Sequence, residues 1–479
     1  MGGAIPVKNI IQQIVGNVVE EILDLLRKDG ITSVGKSIQR IQTIVNPAIL
    51  EIVASVIEQM DQSLVDAVKE RRSDRITVKQ RDVPRELLTE LGVLRYKRTY
   101  YQCDTHRLYL TDQLIGVAPY ERVSRELCAK LVQYAAEGSM AAASRRAGVQ
   151  VSRQTVDNRV LALSEVAVAA TPCKQTPEEL HVFADEDHVS LQNGRNAMVP
   201  LVTVTEGIDT SKKRHQTINA VHFEGYGISN DSFFEGISSF LNERYDMGKV
   251  KAVYVHADGG RWIDQAKDWF SHAIRVMDGY HLEKRFRQVA ALNGASPYMQ
   301  AIRRAVREDR FELFTSCCAK ILDKQDDQGR KRLSEFVNFL QNNWDEAVIR
   351  ARNEVCGSCT EPMVSHVLSS RLSRNPLAWS EHGLRQMAML RVYTKNGGVV
   401  SADDVRVSRS KAQQKQDAAY RVAGFAKYRV YADKQIGEFL SHKLDWNMFE
   451  PSPPSSGKVD MVYLLRNSLG ALQDSLSVS

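Results

Sequence analysis

The chain has 479 residues, with 64 Lys and Arg against 58 Asp and Glu for a formal charge of +6. Its 43% hydrophobic and 25% charged residues supply enough apolar material for sizeable cores, which excludes a largely disordered or collagen-like chain, and the length suits about three domains. No run approaches the roughly 18 uninterrupted apolar residues of a membrane helix, and Met1-Gly2-Gly3-Ala4-Ile5-Pro6 lacks the basic and apolar regions of a signal peptide. Seven scattered cysteines suit a reducing compartment better than a disulfide scaffold. The expectation is an intracellular, cytoplasmic protein with no membrane partner.

Residues 1–70 carry a helical period. Ile10, Ile11, Ile14, Val18, Ile22, Leu25 and Leu26 recur at three- and four-residue steps, and Ile49, Ile52, Val56, Ile57, Met60 and Leu64 repeat the pattern between Pro47 and Val68. Two amphipathic helices joined near Gly30-Ile31-Thr32 make a packing or dimerisation arm. From Arg71 to Arg98 the residues Arg71, Arg72, Arg75, Lys79, Arg81, Arg85, Arg95, Lys97 and Arg98 outnumber Asp74, Asp82, Glu86 and Glu90. Such a stretch suits a phosphate backbone and equally a solvated linker. Gly92–Tyr101 and Arg107–Leu110, separated by Cys103-Asp104-Thr105-His106, read as a β-hairpin.

Tyr120–Leu163 reads as a helix-turn-helix. One helix runs near Arg122–Ala136 and a second near Met140–Ala147; Gly148 turns the chain, and Ser152 caps a third helix, Arg153–Leu163. Arg153, Gln154, Asn158 and Arg159 on that third helix are residue types that reach bases and phosphates in a major groove. A small helical bundle with a polar outer face has the same pattern. Residues 71–165 together form the expected DNA-binding region, with Arg95, Lys97 and Arg98 as further contacts.

From residue 178 the pattern alternates. Leu180–Ala184 reads as a strand, Asp185-Glu186-Asp187 as a turn, and His188–Gln192 as another extended run. Met198–Thr205 and Gln216–His222 read as strands and Asp231–Tyr245 as a helix. Lys251–Ala257 is a buried-type strand ending at Asp258-Gly259-Gly260; a helix near Ile263–His272 and a strand Ala273–Met277 ending at Asp278 follow. This succession makes an α/β fold with a mixed sheet and at least one parallel crossover over residues 178–282. Residues 283–355 are helical throughout. Residues 356–395 return with a loop into a helix carrying Glu361, and 396–479 form a polar, partly flexible tail with a Pro- and Ser-rich linker at Glu450–Gly457.

Asp185 and Asp258 both stand where an apolar strand ends, and ligands of open α/β sheets collect beyond strand carboxyl ends. Two carboxylates there repel unless a cation lies between them, and hard oxygen donors favour Mg²⁺ or Mn²⁺. Glu361, at a helix start, suits a third ligand, and two metals about 4 Å apart are the arrangement of phosphoryl-transfer nucleases. A strand-end Asp is also a common turn former or helix cap. Gly259-Gly260 is too short, and lacks the Lys, for a phosphate-binding loop.

Several blocks carry a resemblance. They are Phe183-Ala184-Asp185-Glu186-Asp187-His188-Val189, His256-Ala257-Asp258-Gly259-Gly260-Arg261-Trp262-Ile263, Asp278-Gly279-Tyr280-His281-Leu282 and Glu361-Pro362-Met363-Val364-Ser365-His366-Val367-Leu368, closed by Ser370–Ser380. In this order and spacing the chain resembles bacterial insertion-sequence DDE transposases of the ISLre type, a group distantly similar to the Mutator-like transposases. The resemblance implies a ribonuclease-H-like fold with an all-helical insertion before the last acidic residue. It implies a triad of Asp185, Asp258 and Glu361 holding two Mg²⁺ or Mn²⁺ ions, with Asp187 competing for the first position. Asp278 and His281 match an Asp-x-x-His element in a supporting role. Trp262 suits either stacking on a base or a place in the core. Pro362 departs from the glycine expected after the Glu, although proline is tolerated in a first helical turn.

The implied activity is a DNA transposase that binds terminal inverted repeats, hydrolyses a phosphodiester and transfers the freed strand to target DNA. Its partners would be both DNAs and further copies of itself, at least as a dimer. The alternatives are a DNA-binding regulator or inactive derivative without nuclease activity, and a junction-resolving nuclease on the same fold.

Overall fold

The computed structural model describes residues 7–31, 33–103, 106–209, 211, 216–257, 261–352, 355, 360–374, 377–405 and 428–434. The chain divides into two units, Met1–Ser124 with Val407–Ser479, and Arg125–Arg406. This boundary separates the β-hairpin from the helix-turn-helix, which the sequence reading had joined in one region.

In the first unit, helices α1 (Val7–Asp29) and α2 (Val34–Asp66) pack together, and a short α3 (Val68–Ser73) leads into strands β1 (Ile76–Thr89), β2 (Gly92–Cys103) and β3 (His106–Leu108), followed by α4 (Leu110–Leu114). The strands form an antiparallel sheet in the order β1-β2-β3. The expected hairpin is the β2–β3 pair, with Cys103 opposite His106. The basic stretch is not a linker but the longer β1–β2 ribbon, whose register shifts twice between Val78 and Val83. Helix α2 is long and apolar enough, by length and composition, to cross a membrane, which the run of apolar residues had not suggested. Its C-terminal half is committed to the unit's core: Met60, Leu64 and Val65 pack with Ile76, Tyr101 and Leu110. Asp61 is buried there and accepts from the Thr99 amide at 2.9 Å, the Thr99 hydroxyl at 2.6 Å and the Thr111 hydroxyl. Part of the expected flexible tail belongs to this core too. Residues 428–434 are helical, Tyr428 packs against Leu64 and Tyr101, and its hydroxyl donates to Asp74 Oδ2 at 2.7 Å.

The second unit opens with α5 (Arg125–Ala135), α6 (Met140–Arg146) and α7 (Arg153–Leu161), which pack on one another. Ser139 caps α6 by accepting from the Ala142 amide, and Ser152 caps α7 by accepting from the Thr155 amide, both at 3.1 Å. Gly148 takes φ +71° in the turn between them, a conformation glycine reaches without a Cβ clash. Then come β4 (Glu179–Ser190), β5 (Asn196–Thr205), a small ribbon of β6 (Ile208–Asp209) and β7 (Gln216–Thr217), β8 (Val221–Glu224), α8 (Asn230–Arg244), β9 (Ala252–Ala257), α9 (Arg261–Asp264), α10 (Ala266–Trp269) and β10 (Ala273–Met277). The five-stranded mixed sheet has the order β10-β9-β4-β5-β8; β4, β9 and β10 run parallel, and β5 is antiparallel to β4 and β8.

The turn expected at Asp185-Glu186-Asp187 does not exist. β4 is one continuous strand through it, with Asp185 opposite Leu201 and Asp187 opposite Val199. Leu180, Val182 and Ala184 on one face of β4 pack under Phe234, Ile237 and Phe270.

The helical insertion comprises α11 (Gly279–Ala290), α12 (Met299–Arg307), α13 (Phe311–Leu322), α14 (Asp327–Asn342) and α15 (Trp344–Ala351). Its core of Phe286, Ile302, Phe314, Phe336 and Leu340 continues onto Met277 of β10. A last helix runs through α16 (Thr360–Val364), a π turn (Ser365–Ser369) and α17 (Ser370–Leu372), before α18 (Glu381–Lys395).

Two stability outcomes follow from these cores. Asp61→Ala strips the Thr99 amide and two hydroxyls of their acceptor, so the first unit should lose about 2–3 kcal/mol in denaturant unfolding; an unchanged midpoint would refute the assignment. In the second unit, burial lowers His222 to about 4, with the Lys395 charge adding to it, while the ring pairs with the Thr203 hydroxyl at 2.8 Å. A depressed folded-state value means this contribution is complete above the ordinary histidine value of 6.5 and is lost as pH falls through about 4. The His222→Gln variant should therefore show a flatter loss of stability across that window than the wild type.

Candidate active site

Strand alternation places His181, Phe183, Asp185 and Asp187 on one face of β4 and Glu186 on the other. Asp185 is half-buried, and its Oδ1 accepts from the Glu186 amide at 2.9 Å. Asp187 is 7% exposed, and its Oδ1 accepts from the Ser369 and Ser373 hydroxyls at 3.0 and 2.8 Å. Its Oδ2 is buried with no partner among the described residues. Burial pushes the Asp187 carboxyl above the usual range, against the lowering pull of the two hydroxyls.

The neighbours of β4 converge on its middle, where the β9 ladder ends. Phe183 pairs with His256 in the parallel β4–β9 ladder, and β9 ends at Ala257; Asp258, the next residue, lies outside the described residues. Helix α16 packs against β4 and carries Glu361 as its second residue, with Pro362 inside the first turn. The structure thus brings together the strand of Asp185, the strand that runs into Asp258 and the helix of Glu361. Among the described residues no three His, Cys, Asp or Glu side chains form a metal cluster. The half-open Asp185 carboxylate is a hard oxygen donor of the kind Mg²⁺ or Mn²⁺ takes.

Beyond β10, Asp278 is fully buried and caps α11: Oδ1 accepts from the Tyr280 and His281 amides at 2.9 and 3.0 Å, and from His281 Nδ1 at 3.1 Å. The expected Asp278–His281 element is therefore a pair in direct contact.

Sequence reasoning missed a buried polar chain beside it. His181 Nδ1 lies 3.2 Å from His256 Nε2, and the Arg350 guanidinium lies 2.7 Å from His256 Nδ1 and donates to the Met277 carbonyl at 3.0 Å. Burial, with the Arg350 charge adding to it, lowers His181 to about 4 and holds His256 well below its ordinary value. Both imidazoles are neutral near pH 7, so each bridges with one donor and one acceptor nitrogen. The available signal was an odd-numbered run of polar residues on β4 and a single Arg on the inner face of an amphipathic helix.

The expected DNA contacts divide. On α7, Arg153, Gln154 and Asn158 are exposed while Val156 and Val160 pack inward; Gln154 Nε2 donates to Asn158 Oδ1 at 3.0 Å. Arg159 is half-buried. In the first unit Lys97 is exposed, and Arg95 is exposed and paired with Glu86 at 2.7 Å. Arg98 is a correction. It is 8% exposed, paired with Asp112 and stacked 3.6 Å over the Tyr109 ring, so it serves the core and presents nothing to a duplex. Trp262 takes the packing alternative: its indole stacks beside Phe234 and donates to Glu186 Oε2 at 2.9 Å.

The α5–α7 bundle is joined to the Glu361 helix by two buried arginines. Arg371 donates to the Ala135 carbonyl at 2.9 Å, and Arg391 donates to the Ala136, Val367 and His366 carbonyls at 3.0, 2.7 and 2.7 Å. Burial lowers Arg371 to about 10.

Comparison with known proteins gives a family. The uncharacterised protein family UPF0236 matches residues 28–410. The UPF0236 protein TTE2489 of Caldanaerobacter subterraneus subsp. tengcongensis is 32% identical over 388 residues, covering 80% of this chain and 82% of the relative. A second UPF0236 protein of that organism, whose name joins the designations TTE0033 to TTE2212, is 31% identical over 389 residues, covering 80% and 81%. In Streptococcus gallolyticus, a UPF0236 protein in the vanSb 3′ region is 24% identical over 371 residues, covering 72% and 79%. With more than half its length matched and relatives above 30% identity covered over four-fifths, the chain belongs to the UPF0236 family.

Proposed function

We propose that this chain is a DDE-type DNA transposase. It would bind the terminal repeats of an insertion element and cleave and join DNA strands at a two-metal site formed by Asp185, Asp258 and Glu361. The observation that carries the reading is the convergence at the middle of β4: a half-buried Asp185, the end of β9 one residue before Asp258, and helix α16 with Glu361 packed on that strand. Three successive strands, two parallel crossovers and a helical insertion before the last acidic residue also suit the ribonuclease-H-like architecture that the resemblance implies. One relative's name joins eleven designations; read as one protein encoded at many places in a genome, it fits a self-copying element.

Under this reading, α7 enters the major groove with Arg153, Gln154 and Asn158 toward the base edges, and the exposed Arg95 and Lys97 contact phosphates. Arg371 and Arg391 hold that bundle fixed against the Glu361 helix, so end recognition positions the scissile phosphate rather than merely tethering it. Two Mg²⁺ ions held by the triad would neutralise phosphate charge and activate first water, then the freed 3′-hydroxyl. Asp278 orients His281 at the rim, where the imidazole meets phosphate. Ile31, Val34 and Ile38, exposed where α1 meets α2, give an apolar strip through which two copies would pair to hold two ends.

The test uses the full chain, Mg²⁺ and DNA bearing the element's ends. Asp185→Asn and Glu361→Gln should each reduce strand cleavage to background while end binding persists. Wild-type-like cutting by both variants overturns the assignment, and wild-type end binding without any cutting favours the regulator. Separately, Gln154→Ala should weaken end binding by about 1–3 kcal/mol and relax specificity at one base pair, while leaving binding to unrelated DNA unchanged.

A further inference from the structure

We infer that Asp187 is a positioning residue rather than a metal ligand: its sealed carboxylate clasps Ser369 and Ser373 and thereby fixes the Glu361 helix in register on β4. The inference rests on the transposase reading and deepens it, because sequence alone leaves Asp185 and Asp187 competing for one role two residues apart on one strand face.

The geometry separates them. Mg²⁺ gives up its waters reluctantly and keeps several when bound, so a ligand carboxylate has to open onto solvent or substrate. Asp185 is half-exposed, whereas Asp187 is 7% exposed with its Oδ2 enclosed. The hydroxyls on Asp187 Oδ1 come from Ser369, the last residue of the π turn, and Ser373, the cap just past Leu372. Ser369 and Ser373 stand four apart, neighbours on one helix face, and together they grip a single oxygen. The π turn Ser365–Ser369 separates Glu361 from Ser373 and itself carries Ser369. One extra residue sets a helix back by about 100°, which brings positions 361 and 369 close to the same strip of the helix. A shift of the clasp would therefore be transmitted directly to the position of Glu361.

What the clasp requires is an acceptor at Oδ1, not a charge, and an asparagine supplies it. The experiment measures Mn²⁺ binding by calorimetry and single-turnover cleavage of end-bearing DNA against Mg²⁺ concentration, using the full chain. Asp185→Asn, the control, should lose both. Asp187→Asn should keep Mn²⁺ affinity and half-saturating Mg²⁺ at wild-type values. The Ser369→Ala/Ser373→Ala double variant, which leaves every carboxylate in place, should raise half-saturating Mg²⁺ by about 10–100-fold, with end binding unchanged. Asp187→Asn behaving like Asp185→Asn would make Asp187 a ligand and overturn the inference. So would a double variant with a wild-type Mg²⁺ response. If Asp185→Asn itself binds Mn²⁺ and cleaves normally, the function reading fails first, and the two failures are told apart.

Discussion

The central position of β4 is the constraint on which the second unit depends. Paired with β9 on one side and β5 on the other, the strand cannot slip by one residue without exchanging its two faces. One face is apolar through Leu180, Val182 and Ala184. The other presents His181, Asp185 and Asp187 to the interior or its rim, and buried polar groups have to be met by partners. Whatever covers that face is therefore polar at matching heights: His256 and Arg350 against His181, Ser369 and Ser373 against Asp187. The helical insertion and the Glu361 helix are drawn to the same strand by the hydrogen bonds it leaves open.

The π turn makes a second demand. Widening a helix by one residue disturbs its regular carbonyl pairing, and the His366 and Val367 carbonyls accept from Arg391 of α18 instead. The same guanidinium reaches Ala136, just beyond α5, while Arg371 takes Ala135. A buried guanidinium is costly to desolvate, but its five fixed donors suit a cluster of carbonyls at the ends of several helices. Two arginines thus do locally what an extended apolar interface would otherwise do. They tie the α5–α7 bundle to the helix beside β4.

Much of this was legible in the sequence. The helix-turn-helix was readable because Ser139, Gly148 and Ser152 stand at positions where local hydrogen bonding and a positive φ dictate the chain path. The strand Ala273–Met277 and the run Met198–Thr205, which the structure extends to Asn196, were readable because both are apolar runs bounded by breakers. The acidic run of β4 misled, since Asp-Glu-Asp has turn propensity and only pairing on both sides overrides it. Strand β1 was illegible for a related reason: its mostly solvent-facing residues are charged, and its register shifts erase the period of two. Arg98 could not be told from Arg95 by composition. The difference lies in Asp112 and Tyr109, more distant in sequence, closing over one and not the other.

Three aspartates of the second unit show how far environment, rather than residue type, sets a role. Asp278 is fully buried, but two helix N-terminal amides and His281 engage its oxygen, which fixes a helix start and an imidazole and leaves it no freedom to reach a substrate. Asp187 is buried against two hydroxyls, and burial pushes its carboxyl above the usual range against their lowering pull. Asp185 is half-buried, and its Oδ1 accepts from the Glu186 amide at 2.9 Å. A carboxylate suited to a hydrated cation has to pay little desolvation. Of the three, Asp185 is the least buried, and it lies on the strand that pairs with β9 and packs against the helix of Glu361.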